Sequence, residues 1–263
     1  MRRGTGTNAV AASRFPIKPV VAALALAFGS LNASADPTPT QLPGAGEIRA
    51  VGTGTTITSP GGAWQVSGAG VGGEIYTGSL AAAVFPGSIQ LNSASSVARA
   101  VIRWGGNKST LETFNPQGFN IGSNATVYFT SGGNVTDAAV LNIDASGNPS
   151  QVFGQLISTS STLGGVAGGG AAPVVFLANT NGIIVGKSGL VSLPNGGGLI
   201  GANLNHDTEM YEFVGNNGAA TSYLDVATGC STVQVHVVIG GGLDGVNTNR
   251  PAAYVLLAGG DVV

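Results

Sequence analysis

The feature that most narrows the fold of this chain is the length of its apolar runs, only about four to eight residues each, ended by glycine, asparagine or serine. The clearest window lies at residues 174–198. Val174-Val175-Phe176-Leu177 stops at Asn179-Thr180-Asn181-Gly182, and Ile183-Ile184-Val185 stops at Gly186-Lys187-Ser188-Gly189. Leu190-Val191-Ser192-Leu193 then ends at Pro194-Asn195-Gly196-Gly197-Gly198. Asn and Gly tolerate positive φ, so each stop reads as a turn between short strands. A hairpin closed by the Asn-Gly dipeptide and a coil of stacked strands fit this window equally well.

Composition removes several function classes. Charged residues are 8% of the 263, with a net charge of −2, too little positive charge for a nucleic-acid footprint. Mean hydropathy is +0.31, yet after the N-terminal segment no apolar run is long enough for a helical membrane span. A membrane β-barrel fits poorly, because the strands are short and aromatics are 6%. Cys230 is the only cysteine, so packing and backbone ladders hold the chain; the residue reads as a small buried one. His206 and His236 have no companion at ligand spacing, so no metal and no cofactor is expected.

Residues 1–35 read as a signal peptide. Arg2, Arg3, Arg14 and Lys18 precede an apolar segment at 20–28, and Ala33-Ser34-Ala35 offers small residues for cleavage before Asp36. Residues 36–263 are then a single domain, beginning with an extended, frayed Asp36-Pro37-Thr38-Pro39-Thr40.

Further along, Ile48-Arg49-Ala50-Val51 and Trp64-Gln65-Val66-Ser67 read as strands between glycine-rich turns. The run Gly68-Ala69-Gly70-Val71-Gly72-Gly73 lacks the Lys-Ser/Thr ending of a phosphate loop. Residues 91–98 carry weak helical character, and Val97–Trp104 leads into a strand. Asn148-Pro149-Ser150-Gln151 is a turn opening one strand through Leu156, and residues 159–172 read as a loop. Residues 206–213 read as a short helix capped by Asn205, and 234–239 and 254–257 as two last strands before a bare end at Val262-Val263. Val175, Leu177, Ile184, Leu190 and Leu193 are the expected inward residues. The acids Asp137, Asp144, Asp207 and Asp225 fall in different segments and read as solvated loop residues, against an enzyme with convergent carboxylates.

Four segments resemble the N-terminal secretion domain of filamentous haemagglutinin-like exoproteins of two-partner secretion systems. They are Val101-Ile102-Arg103-Trp104; Phe119-Asn120-Ile121-Gly122 with Thr126-Val127-Tyr128-Phe129; Val140-Leu141-Asn142 with Asn148-Pro149-Ser150; and Asn179-Thr180-Asn181-Gly182-Ile183. The resemblance covers residues 97–204. Thr180 stands where the family motif has proline, residues 105–118 form a longer link than usual, and the family's earlier Asn-Pro-Asn-Leu motif is absent.

The resemblance implies an all-β fold, a right-handed parallel β-helix with extra-helical hairpins. It further implies a non-enzymatic, adhesin-like exoprotein, exported through the periplasm and across the outer membrane by a barrel transporter, and secreted or held at the cell surface. Under it, Asn179 to Ile183 form the turn motif, read by the transporter or purely structural, and the other quoted residues are structural. Partners would be that transporter, host or bacterial surface glycans or proteins, and a second copy through the C-terminal edge. A polysaccharide-active β-helix enzyme and a self-assembling surface protein are the alternatives. Coils of about 20 to 25 residues would give about ten turns.

Overall fold

The computed structural model describes residues 35–77, 87–106, 118–160, 169–201, 213–214, 236–239, 242–244, 255–259 and 261–262. The described chain is all-β, apart from a helical pair at Phe213 and Val214. Eighteen strands run β1 (Gly46–Val51), β2 (Thr55–Thr58), β3 (Trp64–Ser67), β4 (Glu74–Thr77), β5 (Gly87–Ser93), β6 (Val97–Trp104), β7 (Thr126–Ser131), β8 (Asp137–Asp144) and β9 (Ser150–Val152). They continue with β10 (Gln155–Ser158), β11 (Val174–Asn179), β12 (Ile183–Val185), β13 (Leu190–Ser192), β14 (Gly197–Gly201), β15 (His236–Ile239), β16 (Gly242–Asp244), β17 (Val255–Gly259) and β18 (Asp261–Val262).

These strands form three sheets. The first has the order β17-β14-β11-β8-β6-β1-β4-β3, the second β16-β13-β10-β7-β5-β2, and the third β18-β15-β12-β9. From β7 onward each strand pairs in parallel with the third strand after it, so three successive strands visit three different sheets. The runs at 174–193 are therefore β11, β12 and β13, one in each sheet, and no hairpin joins β11 to β12. Short strands follow from this path, because each must end where the chain turns into the next sheet.

The first two sheets are mixed, while the third is parallel throughout. At the N-terminal side β1 pairs antiparallel with β6 and β4, β3 with β4, and β2 with β5. A reversed strand ends the parallel run while still satisfying its backbone edge. The glycine-rich run 68–73 joins β3 to β4 as a hairpin connection, with Ile57 N donating to Ala69 O at 2.9 Å, so no strand-to-helix phosphate loop exists there.

One core lies between the sheets, filled by Ile48, Ile57, Ile89, Ile102, Trp104, Phe129, Val140, Leu177 and Val191, among others. A second lies on the opposite face of the first sheet, where Val101, Leu141, Phe176 and Ile200 meet Phe213 and Val214. Phe213 stands edge-on to Phe176 with centroids 6.2 Å apart. Burial on both faces explains why 138–143 is an unbroken apolar run save for Asn142.

Several expectations need correction. Residues 91–98 are not helical: β5 runs to Ser93 and β6 starts at Val97, with a bend held by the Ser93 and Ser95 hydroxyls between. The expected single strand through Leu156 breaks at Phe153-Gly154 into β9 and β10, which lie in different sheets. Of the expected inward set, Val175, Leu177 and Leu193 are buried, but Ile184 and Leu190 are only half-buried, and Ile183, Val185 and Val191 point inward instead. In a strand of three, the period of two leaves the parity to the turn before it. Among the described residues the first sheet holds five parallel strands where about ten turns were expected, and the spacing between layers varies: Leu190 pairs with Gly242, whereas Val175 pairs with Gly197 within the expected spacing. Asp261–Val262 is a strand, β18, paired with β15, and like β16 and β17 it stands last in its sheet, so among the described residues this edge is uncovered as expected. Cys230 and the proposed helix, except Phe213, lie outside the described residues, as does the signal segment up to Ser34.

The parity correction is testable. Ile183→Ala should cost about 2–5 kcal/mol and Ile184→Ala clearly less, read from urea unfolding midpoints.

Candidate functional site

The residues singled out in the sequence converge on one corner, where the first sheet hands over to the third. Trp104, Asp144 and Asn179 are the last residues of β6, β8 and β11, and they stand in register across three adjacent strands. Asp144 and Asn179 are each followed by a turn whose backbone groups need partners.

In both layers the same device supplies one. The Asn179 Oδ1 accepts from Asn181 N at 2.7 Å, and the Asp144 Oδ1 accepts from Ser146 N at 2.9 Å. Both are Asx turns, in which a short polar side chain replaces a backbone acceptor two residues before the donor. Gly182 N then donates to Asn179 O at 3.1 Å, which closes a β-turn with Thr180 and Asn181 in its centre. Gly182 has φ of 99°, a conformation a side chain would strain. Thr180 occupies the second position of this turn, where proline is favoured but not required.

The layers are also bonded to each other. Asn179 Nδ2 donates to Asn148 O at 2.8 Å and to Ser150 Oγ at 2.9 Å, and Ser150 Oγ donates to Asp144 Oδ2 at 2.6 Å. Asp144 Oδ2 also accepts from Phe119 N at 2.8 Å. Ser150 N donates to Gly182 O at 3.0 Å, and Asn120 Oδ1 accepts from Gln151 N at 2.8 Å. Ile121 bridges in parallel to Val152, and Ile183 pairs with Ser150, so 121, 152 and β12 continue one face. Pro149 is buried and comes just before β9, where no ladder donor is needed.

Trp104 anchors the layer below. Its Nε1 donates to Asn142 Oδ1 at 2.9 Å, and Asn142 Nδ2 donates to Phe176 O at 3.1 Å, a polar link running through three strands of the core. Phe119 meets Trp104 edge-on at 5.6 Å, and Trp64 lies tilted on its other side at 5.2 Å.

Thus Trp104, Phe119, Asn120, Ile121, Asn148, Pro149, Ser150, Asn179, Thr180, Gly182 and Ile183 are brought together, while Asn181 alone of the turn motif is exposed. Gly122 sits at the edge of this face, tight against Thr38 and Pro39. Asp144 was missed as a member, while Asn142, quoted within a resembling segment, is the residue that links Trp104 to β11. Asp144 is buried, contrary to the reading of a solvated acid, and the signal for it was an acid two residues before a small polar one, matching Asn179 and Asn181. Burial pushes the Asp144 carboxyl up, against the pull of its donors from Ser150, Ser146 and Phe119.

Acid chemistry finds little here. Asp137 and Asp144 stand at opposite ends of β8, about 23 Å apart at strand rise, beyond the reach of paired carboxylates. Asp137 instead pairs with the buried Arg99 at 2.5 Å. Asp207 and Asp225 lie outside the described residues. Among the described residues no three His, Cys, Asp or Glu groups gather as metal ligands.

Two outcomes are expected. Asn179→Ala should cost about 1–3 kcal/mol, because it removes the side chain's bonds to Asn148 O, Ser150 Oγ and Asn181 N, whereas Thr180→Pro should hold or raise stability by about 0.4–1 kcal/mol; thermal unfolding checks both. The second concerns pH. The folded chain holds the Asp144 proton more tightly than the unfolded chain, so this group's stabilisation is complete below its ordinary value of 3.8 and is lost as pH rises through the raised folded value. Wild type should therefore show its greatest advantage over Asp144→Asn at low pH, shrinking toward neutrality, in urea midpoints taken from pH 3 upward.

No protein-family model and no curated protein matches the chain.

Proposed function

We propose that this protein is a non-enzymatic exoprotein of the two-partner secretion type, adhesin-like, built as a right-handed parallel β-helix whose N-terminal domain directs it through an outer-membrane barrel transporter. The observation that carries the reading is the Asn179 to Gly182 corner. It occupies the place of the family's turn motif, in a chain whose strands each pair with the third one following. The order of the four resembling segments supports it too, since they supply consecutive layers of a single corner rather than scattered parts.

The corner divides its labour. Asn179 is buried and spent on the turn and on the layer beneath, while Asn181 is exposed and contributes only its backbone to the hydrogen bonds of the turn. Asn181 is thus the residue of this motif available to a transporter, and Asn179 holds it in place. Arg99, Asp137 and Asp144 are tied into the scaffold, which argues against their use in acid–base cleavage of a polysaccharide.

Export should require the transporter: deleting the gene for the cognate barrel should abolish the protein in culture supernatant, and unchanged export would refute the proposal. Asn181→Trp should lower secretion several-fold while shifting stability by no more than about 0.5 kcal/mol. An equal loss of folding would assign Asn181 to structure instead.

A further inference from the structure

Two turns of the described chain share one design. Asn179-Thr180-Asn181-Gly182 closes with Gly182 N donating to Asn179 O at 3.1 Å, and Leu193-Pro194-Asn195-Gly196 closes with Gly196 N donating to Leu193 O at 2.8 Å. Both glycines have positive φ, 99° and 94°. Each turn therefore sets an asparagine directly before a glycine, at the same place in the loop. The two asparagines differ in what holds their side chains. Asn195 is half-buried and its Nδ2 donates to Ala172 O, whereas Asn181 is exposed and, among the described residues, its side-chain amide meets no partner.

An asparagine followed by glycine carries an electrophile and a nucleophile that can close a five-membered ring. The glycine nitrogen, with no Cβ beside it, attacks the asparagine Cγ. The N–Cγ bond forms as that nitrogen loses its proton and the side-chain amide leaves as ammonia, which yields a cyclic imide. Water then opens the imide: cleavage of the N–Cγ bond gives aspartate, and cleavage between the nitrogen and the main-chain carbonyl gives an isoaspartyl link. A fold opposes the first step by holding the glycine N–H and the asparagine side chain in place. Asn195 reacts only if Gly196 N leaves Leu193 O and its own amide leaves Ala172 O, and Pro194 stiffens the backbone before it. For Asn181 a single bond stands in the way, from Gly182 N to Asn179 O, and it is the longer of the two turn bonds.

We propose that Asn181 is a site of spontaneous deamidation in the folded protein, with water as the co-reactant, and that Asn195 is protected from it. The inference stands apart from the export reading, since it uses only the turn. The aspartyl product keeps the backbone and adds a negative charge at the exposed residue of the corner. The isoaspartyl product goes further, because it inserts one carbon into the main chain between residues 181 and 182. Gly182 O accepts from Ser150 N at 3.0 Å, immediately before Ile183 pairs with Ser150, so the insertion displaces the acceptor that opens the β9–β12 ladder. The corner thereby changes with the age of the molecule.

The test holds the full chain folded in mildly alkaline buffer, samples it over days, and reads the one-dalton gain at each asparagine by peptide mass spectrometry, with a urea-unfolded sample in parallel. One further hydrogen bond to open lowers the reactive population about fivefold. Asn181 should therefore deamidate at least about fivefold faster than Asn195 in the folded chain, and the two rates should converge in urea, where both turns are gone. Equal rates in the folded chain, or a faster Asn195, would overturn the proposal. A folded ratio no larger than the ratio in urea would overturn it too, by tracing the difference to sequence instead of the turns. Asn181→Gln, whose longer side chain disfavours the five-membered ring, should remove the gain at 181; a gain that persists there would refute the assignment. In the isoaspartyl fraction the Ser150 amide should exchange several-fold faster than in fresh protein while the Leu141 amide stays protected. Unchanged protection of Ser150 would refute the effect on the β9–β12 ladder.

Discussion

A parallel ladder that changes sheet every few residues must turn a corner each time, and every corner takes backbone groups out of the ladder and leaves them in need of partners. The rest of this fold depends on how those groups are satisfied. Asp144 and Asn179, one layer apart and in register, each take the N–H two residues on, and Ser150 passes a hydrogen bond between them. Asn is needed at 179 because its amide donates downward while its oxygen closes the turn, a double role that a carboxylate cannot fill. The corner tolerates one acid and one amide because donors face the first and acceptors face the second.

This arrangement also explains how much was legible in the sequence. Short runs ended by Asn and Gly located β1, β3, β6, β7 and β11 to β13, since turn chemistry is local and written in single residues. The choice between hairpin and stacked strands was not legible in 174–198 alone, because an Asn-Gly dipeptide serves both and only the pairing partners of β11 and β12 decide it. Parity failed at Ile183/Ile184 and Leu190/Val191, where strands of three carry too little alternation to fix a face. Asp144 was misread because charge was taken as a sign of exposure, and its three donors, from Phe119, Ser146 and Ser150, come partly from residues distant in sequence. Trp104 was legible as a motif residue, but its bond to Asn142 depends on a register that no single segment contains.

The two faces of the first sheet divide the work of stability. Inward, Ile102, Val140 and Leu177 belong to the core between the sheets, while outward Val101, Leu141 and Phe176 belong to a second core closed by Phe213. Phe213 lies far along the chain from Val101, so the outer core joins late-synthesised residues to early ones. Long-range closure of this kind slows folding without needing a large interface. On the proposed export route such delay is a gain, because the chain would cross a membrane before its fold is complete.

The reversed strands at the N-terminal side have a consequence for how chains of this design change length. A parallel layer repeats the register of its neighbour, as Val175 repeats Val140 and Gly197 repeats Val175, so a further layer fits among them with its side chains already facing correctly. The antiparallel pairing of β1 with β6 and β2 with β5 has no such translational copy. The molecule is therefore polar as a template: lengthening is possible among the parallel strands and blocked beyond β1 and β2, like a zipper with a fixed stop at one end.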